Sequence, residues 1–360
     1  MFALWGMPGS YYNTTRTRTE MEWGIVKDKE MHHNDTIYGS VEITEAVLET
    51  LMDTAVLQRL KGIRQHGISG LIGVTAPITR YEHSVGAMLL VRRLGGSLTE
   101  QIAALLHDAS HTAFSHVIDY VVDGHDNQSY HDEMKEHYLA QTELPALLAA
   151  YGYDWRLFLD EAAFPLLEQP SPRLCADRLD YFLRDAQALG LAGAGQIELV
   201  LASLVVAHGR MAVNNLEAAR WLGYTYIQAD DASWANFREV GLYEVTAQAI
   251  RRALTAGSIH EADFWLTDAP FWDKLHGSDD PELQQWLALI SPSTRFEWDE
   301  HNPTFRVSTK LRAIDPDVLA DGQLIPLSTL DADFADHRHD YLQRKQGKWP
   351  VRVVSVSRNP

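Results

Sequence analysis

Leu105-Leu106-His107-Asp108-Ala109-Ser110-His111 is the stretch on which the reading of this chain turns. Ile102, Ala103, Leu105 and Leu106 recur at helical spacing behind a capping Ser97 or Thr99, which predicts a helix over 99–107. Neighbouring helical residues point about 100° apart. His107 and Asp108 therefore reach one ion only beyond the helix end or edge, and His111 shares a face with His107 only if the helix continues. Imidazole and carboxylate are ligands for catalytic divalent cations. Taken alone, the pair is equally a solvated helix end.

Its surroundings sharpen it. His83, His107, His111, His116, His125, His131 and His137 cluster between residues 83 and 137, interleaved with Asp108, Asp119, Asp126 and Asp132. Arg80-Tyr81-Glu82-His83-Ser84 opens a preceding helical stretch, 80–94. Asp177-Arg178-Leu179-Asp180-Tyr181 lies on a later one, 174–189. His, His-Asp and Asp on successive helices make four protein ligands and leave a divalent metal open positions for water or phosphate oxygens. Asp180 and Arg184 read as a structural i,i+4 ion pair, and His125 and His137 as solvated.

Bulk properties bound the rest. The chain has 360 residues, 46% hydrophobic and 22% charged, enough for a large core. The formal net charge of −18 disfavours general binding to nucleic acid or an anionic membrane. No apolar stretch approaches the roughly 18 residues of a membrane span. The lone Cys175 excludes an intrachain disulfide, makes a cysteine zinc site unexpected, and fits a reducing, cytoplasmic compartment. Gly-x-x-x-x-Gly-Lys, His-Glu-x-x-His and Gly-x-Ser-x-Gly motifs are absent.

The expected class is mainly α. Residues 1–34 read as an N-terminal extension, with Met21 an alternative start. Residues 35–262 read as a helical domain, with helices over 45–65 and 133–150 and further helices to about 256. Residues 263–360 read as a smaller mixed α/β segment, with strands near 295–298, 305–308 and 351–356. His337-Arg338-His339-Asp340 reads as a chance repeat of the His/Asp letters outside a helical context.

The combination of Asp53-Thr54 through Gln58-Arg59-Leu60 to Gln65, Arg80 to Gly86, His107 to His116 and Asp177 to Asp185 resembles the HD-domain phosphohydrolases, and looks closest to the deoxynucleoside triphosphate triphosphohydrolases. The resemblance implies an HD helical bundle and a divalent metal (Mn, Fe, Mg, Zn or Co) on His83, His107, Asp108 and Asp177. It implies His111 and His131 against the substrate phosphates, one of them a general acid, with Asp119 orienting an imidazole or the attacking water. It also implies substrate contacts from Gln65, Arg80, His116, Arg178, Tyr181 and Asp185, Arg178 standing where the family commonly has lysine. A homodimer or higher homo-oligomer is expected. Gln58 and Asp53 fall where a nucleotide activator binds in the vertebrate enzyme, but structural use of this helix is the expectation here. One departure stands out: Tyr224 to Asp231 ends in Asp230-Asp231, where a triphosphate tail calls for cations. Hydrolysis of another nucleotide or of a small phosphate ester is the alternative substrate class. A catalytically decayed nucleotide sensor is the alternative of another kind.

Overall fold

The computed structural model describes residues 31–122 and 128–354. The expectations for residues 1–30, for His125 and the loop 123–127, and for the end of the last strand lie outside the described residues. The protein is mainly α, with small sheets.

Three helices carry the centre. The Arg80–Arg93 helix begins with a capping box: Thr79 Oγ1 accepts from the Glu82 amide at 3.2 Å, and Glu82 Oε2 accepts from the Thr79 amide at 2.8 Å. It packs against Leu98–Leu106 on one side and Ala176–Ala188 on the other. Ser97, rather than Thr99, caps Leu98–Leu106, accepting from the Glu100 amide at 3.2 Å. That helix ends at His107 and does not continue to His111. Residues 107–116 form a buried non-helical turn in which Phe114 and Ser115 take positive φ, 60° and 50°.

This turn is clamped from several directions. Arg59 Nη2 donates to the carbonyls of Ala109 at 3.1 Å and His111 at 2.7 Å. The carboxylate of Asp268 accepts from the amides of Phe114 at 2.8 Å and Arg64 at 2.7 Å. Gly67, at φ +49°, lies so close that a Cβ there would meet the Phe114 carbonyl oxygen at 2.2 Å. Buried backbone groups that find such partners hold an irregular loop in one conformation.

Other expectations are corrected in detail. The stretch 45–65 is not one helix but Ala46–Met52 and Ala55–Arg59, followed by a short 3-10 turn, because Thr54 caps a new start by accepting from the Leu57 amide. Gln58 serves structure there, donating to the Met52 carbonyl at 2.7 Å. Likewise 133–150 divides into Tyr130–Leu139 and Leu144–Ala150, the second started by Pro145 in its first turn. Helix does not run unbroken to 256: Leu204–Ala207 and Arg210–Val213 form a hairpin, joined by His208-Gly209 at φ 51° and 71°. The β-branched Val205, Val206 and Val213 favour strand there.

That hairpin ties the tail to the body. The four-stranded sheet runs Leu204–Ala207, Arg210–Val213, Asp317–Ala320, Gln323–Pro326, with a parallel pairing of Val213 and Val318 across the long sequence gap. Residues 308–316 thus lead into a strand anchored beside the helices. A second sheet orders Arg295–Trp298, Trp349–Val354 and Phe305–Val307. His337 to Asp340 do sit on a helix, Ala332–Lys345, with the His337 ring beside Tyr224.

The contact between the Arg80–Arg93 and Ala176–Ala188 helices depends on Gly86. A Cβ there would meet Arg184 Nη2 at 2.0 Å and Asp180 Oδ1 at 2.1 Å. Gly86→Ala is expected to destabilise the fold by about 1–3 kcal/mol despite alanine's better helix propensity; equilibrium urea unfolding checks this, and an unchanged or raised midpoint contradicts it.

Candidate metal centre and substrate cleft

The three helices and the clamped turn bring His83, His107 and Asp177 to one point, with Asp108 beside them and also within reach of His111 and His131. His83 Nε2 lies 2.9 Å from Asp177 Oδ1 and 3.1 Å from His107 Nε2. His107 Nε2 lies 3.6 Å from both Asp177 Oδ1 and Asp108 Oδ1. The outward ring nitrogens are already committed. His83 Nδ1 donates to Asp180 Oδ2 at 2.7 Å, and His107 Nδ1 donates to the Ala104 carbonyl at 2.7 Å.

Those outer bonds fix the tautomers. In neutral imidazoles they leave the two Nε2 lone pairs facing each other and a carboxylate oxygen. Such a cluster repels itself unless a cation or shared protons lie within it. Burial opposes protonation of both rings, yet the carboxylates of Asp108, Asp177 and Asp180 outweigh it, raising His83 and taking His107 to about 10. The donor set suits a divalent cation. Ligand bonds of about 2.1 Å put adjacent donors about 3 Å apart, close to the separations seen, and outer hydrogen bonds on ligating histidines are the usual accompaniment. His83, His107, Asp108 and Asp177 are thus the residues that could hold the metal.

Asp108 is held from both sides. Its Oδ2 accepts from Arg80 Nη1 at 2.9 Å and its Oδ1 lies 3.2 Å from His111 Nε2. Burial would raise this carboxyl, but Arg80 and His107 hold it well below the usual range. Arg80 also donates to Ser115 Oγ at 3.0 Å, so it braces the centre while lining the cleft.

Beyond the centre opens a cleft of about 490 Å³. His111 and His131 stack at 3.9 Å, with His116 edge-on to His111 at 5.0 Å. Asp119 bridges below, accepting from the Tyr130 amide at 2.9 Å and lying 3.0 Å from His116 Nδ1. Burial lowers all three imidazoles, His111 strongly and His131 to about 3, so the trio is neutral near pH 7. His111 Nδ1 and His131 Nδ1 are buried without hydrogen-bond partners among the described residues. A buried polar atom left so costs about 1–3 kcal/mol, which a bound polar ligand would recover.

The remaining predicted contacts divide. Gln65 and Tyr181 line the cleft, and Tyr181 hydrogen-bonds Tyr226 and stands edge-on to Trp234. Arg178 also lines it, but its guanidinium is engaged by Glu168 at 2.6 Å and by the carbonyls of Gln169 and Arg173. Asp185 borders an adjoining recess, each oxygen taken, one by His66 at 2.8 Å and one by Trp234 Nε1 at 2.7 Å. Sequence reasoning did not single out Lys310, Arg312, Tyr226 or Trp234 as cleft residues. It assigned Asp180 only an ion pair, whereas Asp180 both pairs with Arg184 and orients His83.

The HD domain matches residues 80–182, the span that builds this centre. The metal-dependent phosphohydrolase cns2 of Cordyceps militaris is 38% identical over 327 residues, covering 88% of this chain and 94% of that protein. The chain is an HD-domain metal-dependent phosphohydrolase. This phosphohydrolase shares its fold with a hypothetical protein from Aquifex aeolicus, at a TM-score of 0.64 and 20% identity over 90% of this chain and 96% of that one. The deoxynucleoside triphosphate triphosphohydrolase SAMHD1 of Gallus gallus is 29% identical over 210 residues, covering 44% of this chain and 34% of that protein. As a member of its family the enzyme uses a divalent metal ion. No described helix is long and apolar enough to cross a membrane.

Asp180→Asn is expected to weaken metal binding about 10–100-fold by loosening His83. Metal content after dialysis against graded chelator, read by elemental analysis, checks this; equal retention by the wild-type and variant proteins would refute the role.

Proposed function

We propose that this phosphohydrolase cleaves deoxynucleoside triphosphates to deoxynucleoside and tripolyphosphate, water attacking the α-phosphorus. The observation that carries the reading is the continuity of the cleft, from His107, Asp108 and Asp177, past three neutral imidazoles, to the aromatic wall of Tyr181, Tyr226 and Trp234. The partial similarity to the avian triphosphohydrolase supports the same substrate class. His83, His107, Asp108 and Asp177 would hold the cation, which would supply Lewis-acid polarisation of a phosphoryl oxygen.

The protein's own groups supply the rest. Arg80 keeps Asp108 ionised and aimed. His111 and His131 offer ring nitrogens to the phosphate, whose negative charge opposes the burial that keeps them neutral. One of them then carries a proton to the leaving oxygen. Asp119 holds His116 at the phosphate side, and Gln65 and Tyr181 meet the sugar. Asp185 meets a sugar hydroxyl only if the substrate displaces His66 or Trp234.

A second reading has one observation in its favour. Arg178 is tied to Glu168 and two carbonyls, which removes a cation from the phosphate side and suits a shorter phosphate chain or a small phosphate ester. We also assign the protein to the cytoplasm, in keeping with its single, buried thiol, and expect a homo-oligomer by family likeness; light scattering that returns a monomer overturns the latter.

The deciding assay offers the enzyme deoxynucleoside triphosphates, nucleoside monophosphates and simple phosphoesters with each candidate metal, and identifies the inorganic product. Tripolyphosphate is expected; orthophosphate from monoesters alone supports the second reading and sinks the first. His111→Ala is expected to lower kcat by about 10²-fold or more, and His107→Ala/Asp108→Ala to abolish turnover. A double variant with full activity would dispose of the mechanism.

A further inference from the structure

Asp230 and Asp231 followed Tyr226 where phosphate binding would call for cations, and the structure shows where their charges go. Asp231 pairs with Lys345 at 2.5 Å, away from the cleft. Asp230 is fully buried, and its Oδ2 accepts from the Tyr341 hydroxyl at 2.9 Å and from the backbone amide of Arg312 at 2.9 Å. The acidic pair does not confront the substrate. One of its members pins a strap, residues 308–316, that comes from far outside the matched HD span.

The strap brings two cations to the lining of the cleft. Lys310 and Arg312 both line the same cavity as His107, Asp108, His111 and Asp177. The Arg312 guanidinium donates to Gln128 Oε1 at 2.5 Å and to the Lys310 carbonyl at 3.3 Å, and stands 5.9 Å from the Trp234 ring. These hydrogen-bonding and ring partners are neutral, and the Asp230 carboxylate acts on the guanidinium at longer range. Arg312 thus differs from the other arginines at the cleft, Arg80 on Asp108 and Arg178 on Glu168, each paired with a carboxylate. Burial and the nearby guanidinium lower Lys310, although Asp177 and Glu168 act in the opposite sense. Two neighbouring cations on one wall of a cleft favour an anion between that wall and the metal centre.

We propose that Lys310 and Arg312 form the polyphosphate-binding wall of the site, Arg312 determining how long a phosphate chain the enzyme accepts and Asp230 acting as the positioning residue that sets the strap's register. A planar guanidinium suits two phosphate oxygens at once, and the adjacent ammonium adds a point charge. The proposal rests on the phosphohydrolase reading of the cleft but not on the deoxynucleoside. Any phosphoanhydride chain that reaches from the metal centre across the cleft would meet this wall.

The test separates the wall from the nucleotide. Calorimetric titration of the metal-loaded enzyme with tripolyphosphate and with orthophosphate needs no turnover. Arg312→Gln is expected to weaken tripolyphosphate binding about tenfold or more and orthophosphate binding much less, a charge-assisted contact being worth that much. Lys310→Ala, on the exposed rim, is expected to act in the same direction with less risk to folding. Asp230→Asn, or Tyr341→Phe if the former does not fold, is expected to raise KM for the longer substrate with little change in kcat, which general loss of structure would not do. If deoxynucleoside triphosphates are not hydrolysed but Arg312→Gln still discriminates against tripolyphosphate, the wall stands and the proposed substrate falls. If they are hydrolysed and neither strap variant changes tripolyphosphate affinity or KM, the wall is overturned.

Discussion

Mutual repulsion at the centre is the constraint from which the rest follows. Two imidazole lone pairs and the Asp177 carboxylate converge within about 3–4 Å, each outer nitrogen already spent on Asp180 or on the Ala104 carbonyl. A buried array of that kind is costly unless a positive charge completes it. It also requires rigid support, because any ligand free to swing away would do so. The capping box at Thr79, the glycine contact at Gly86, and the Arg59 and Asp268 clamps on the 107–116 turn supply that support from separate parts of the chain.

The same constraint explains why the substrate side is neutral. Asp108 is kept ionised by Arg80, and further positive charge on His111 would be placed beside Arg80 inside a water-poor pocket. Burial and that neighbour strip the proton from His111, and burial likewise from His131 and His116. Charge to meet phosphate therefore has to come from elsewhere. The helix carrying Arg178 does not supply it, since Glu168 has claimed the guanidinium. The strap from the C-terminal segment adds Lys310 and Arg312 to the cleft lining.

How much of this was legible in sequence follows the range of each interaction. The candidate ligands lie on local motifs whose spacing survives in one dimension, so His83, His107-Asp108 and Asp177 could be singled out as candidates, and the helices at 80–93 and 176–188 could be read. The break after His107 could not: helical periodicity says nothing about an Arg59 or Asp268 arriving from far along the chain to stabilise a turn. Asp180 was half read, because its i,i+4 partner Arg184 is local and its bond to His83 spans nearly a hundred residues. The hairpin at 204–213 had its turn signal in His208-Gly209, but it lay inside a stretch read as helix.

Asp230-Asp231 shows the limit most sharply. Read along the chain, two carboxylates near a phosphate site are a repulsive element. In three dimensions Asp231 is neutralised by Lys345, and Asp230 turns its charge to the backbone of Arg312. Burial raises Asp230 to about 6 even though Arg312 and the Tyr341 hydroxyl act to lower it, so its acidity is spent inward on the strap. A feature that counted against an anionic substrate thereby becomes the anchor of the segment whose Lys310 and Arg312 line the cleft. The parallel pairing of Val213 with Val318 gives that arrangement its permanence, because the strap is followed directly by a strand fixed to the helical body. On the proposal that Lys310 and Arg312 meet the phosphate chain, substrate preference belongs to the joint between the helical body and its C-terminal sheet, and changes along 308–316 are expected to retune it without touching the candidate metal ligands.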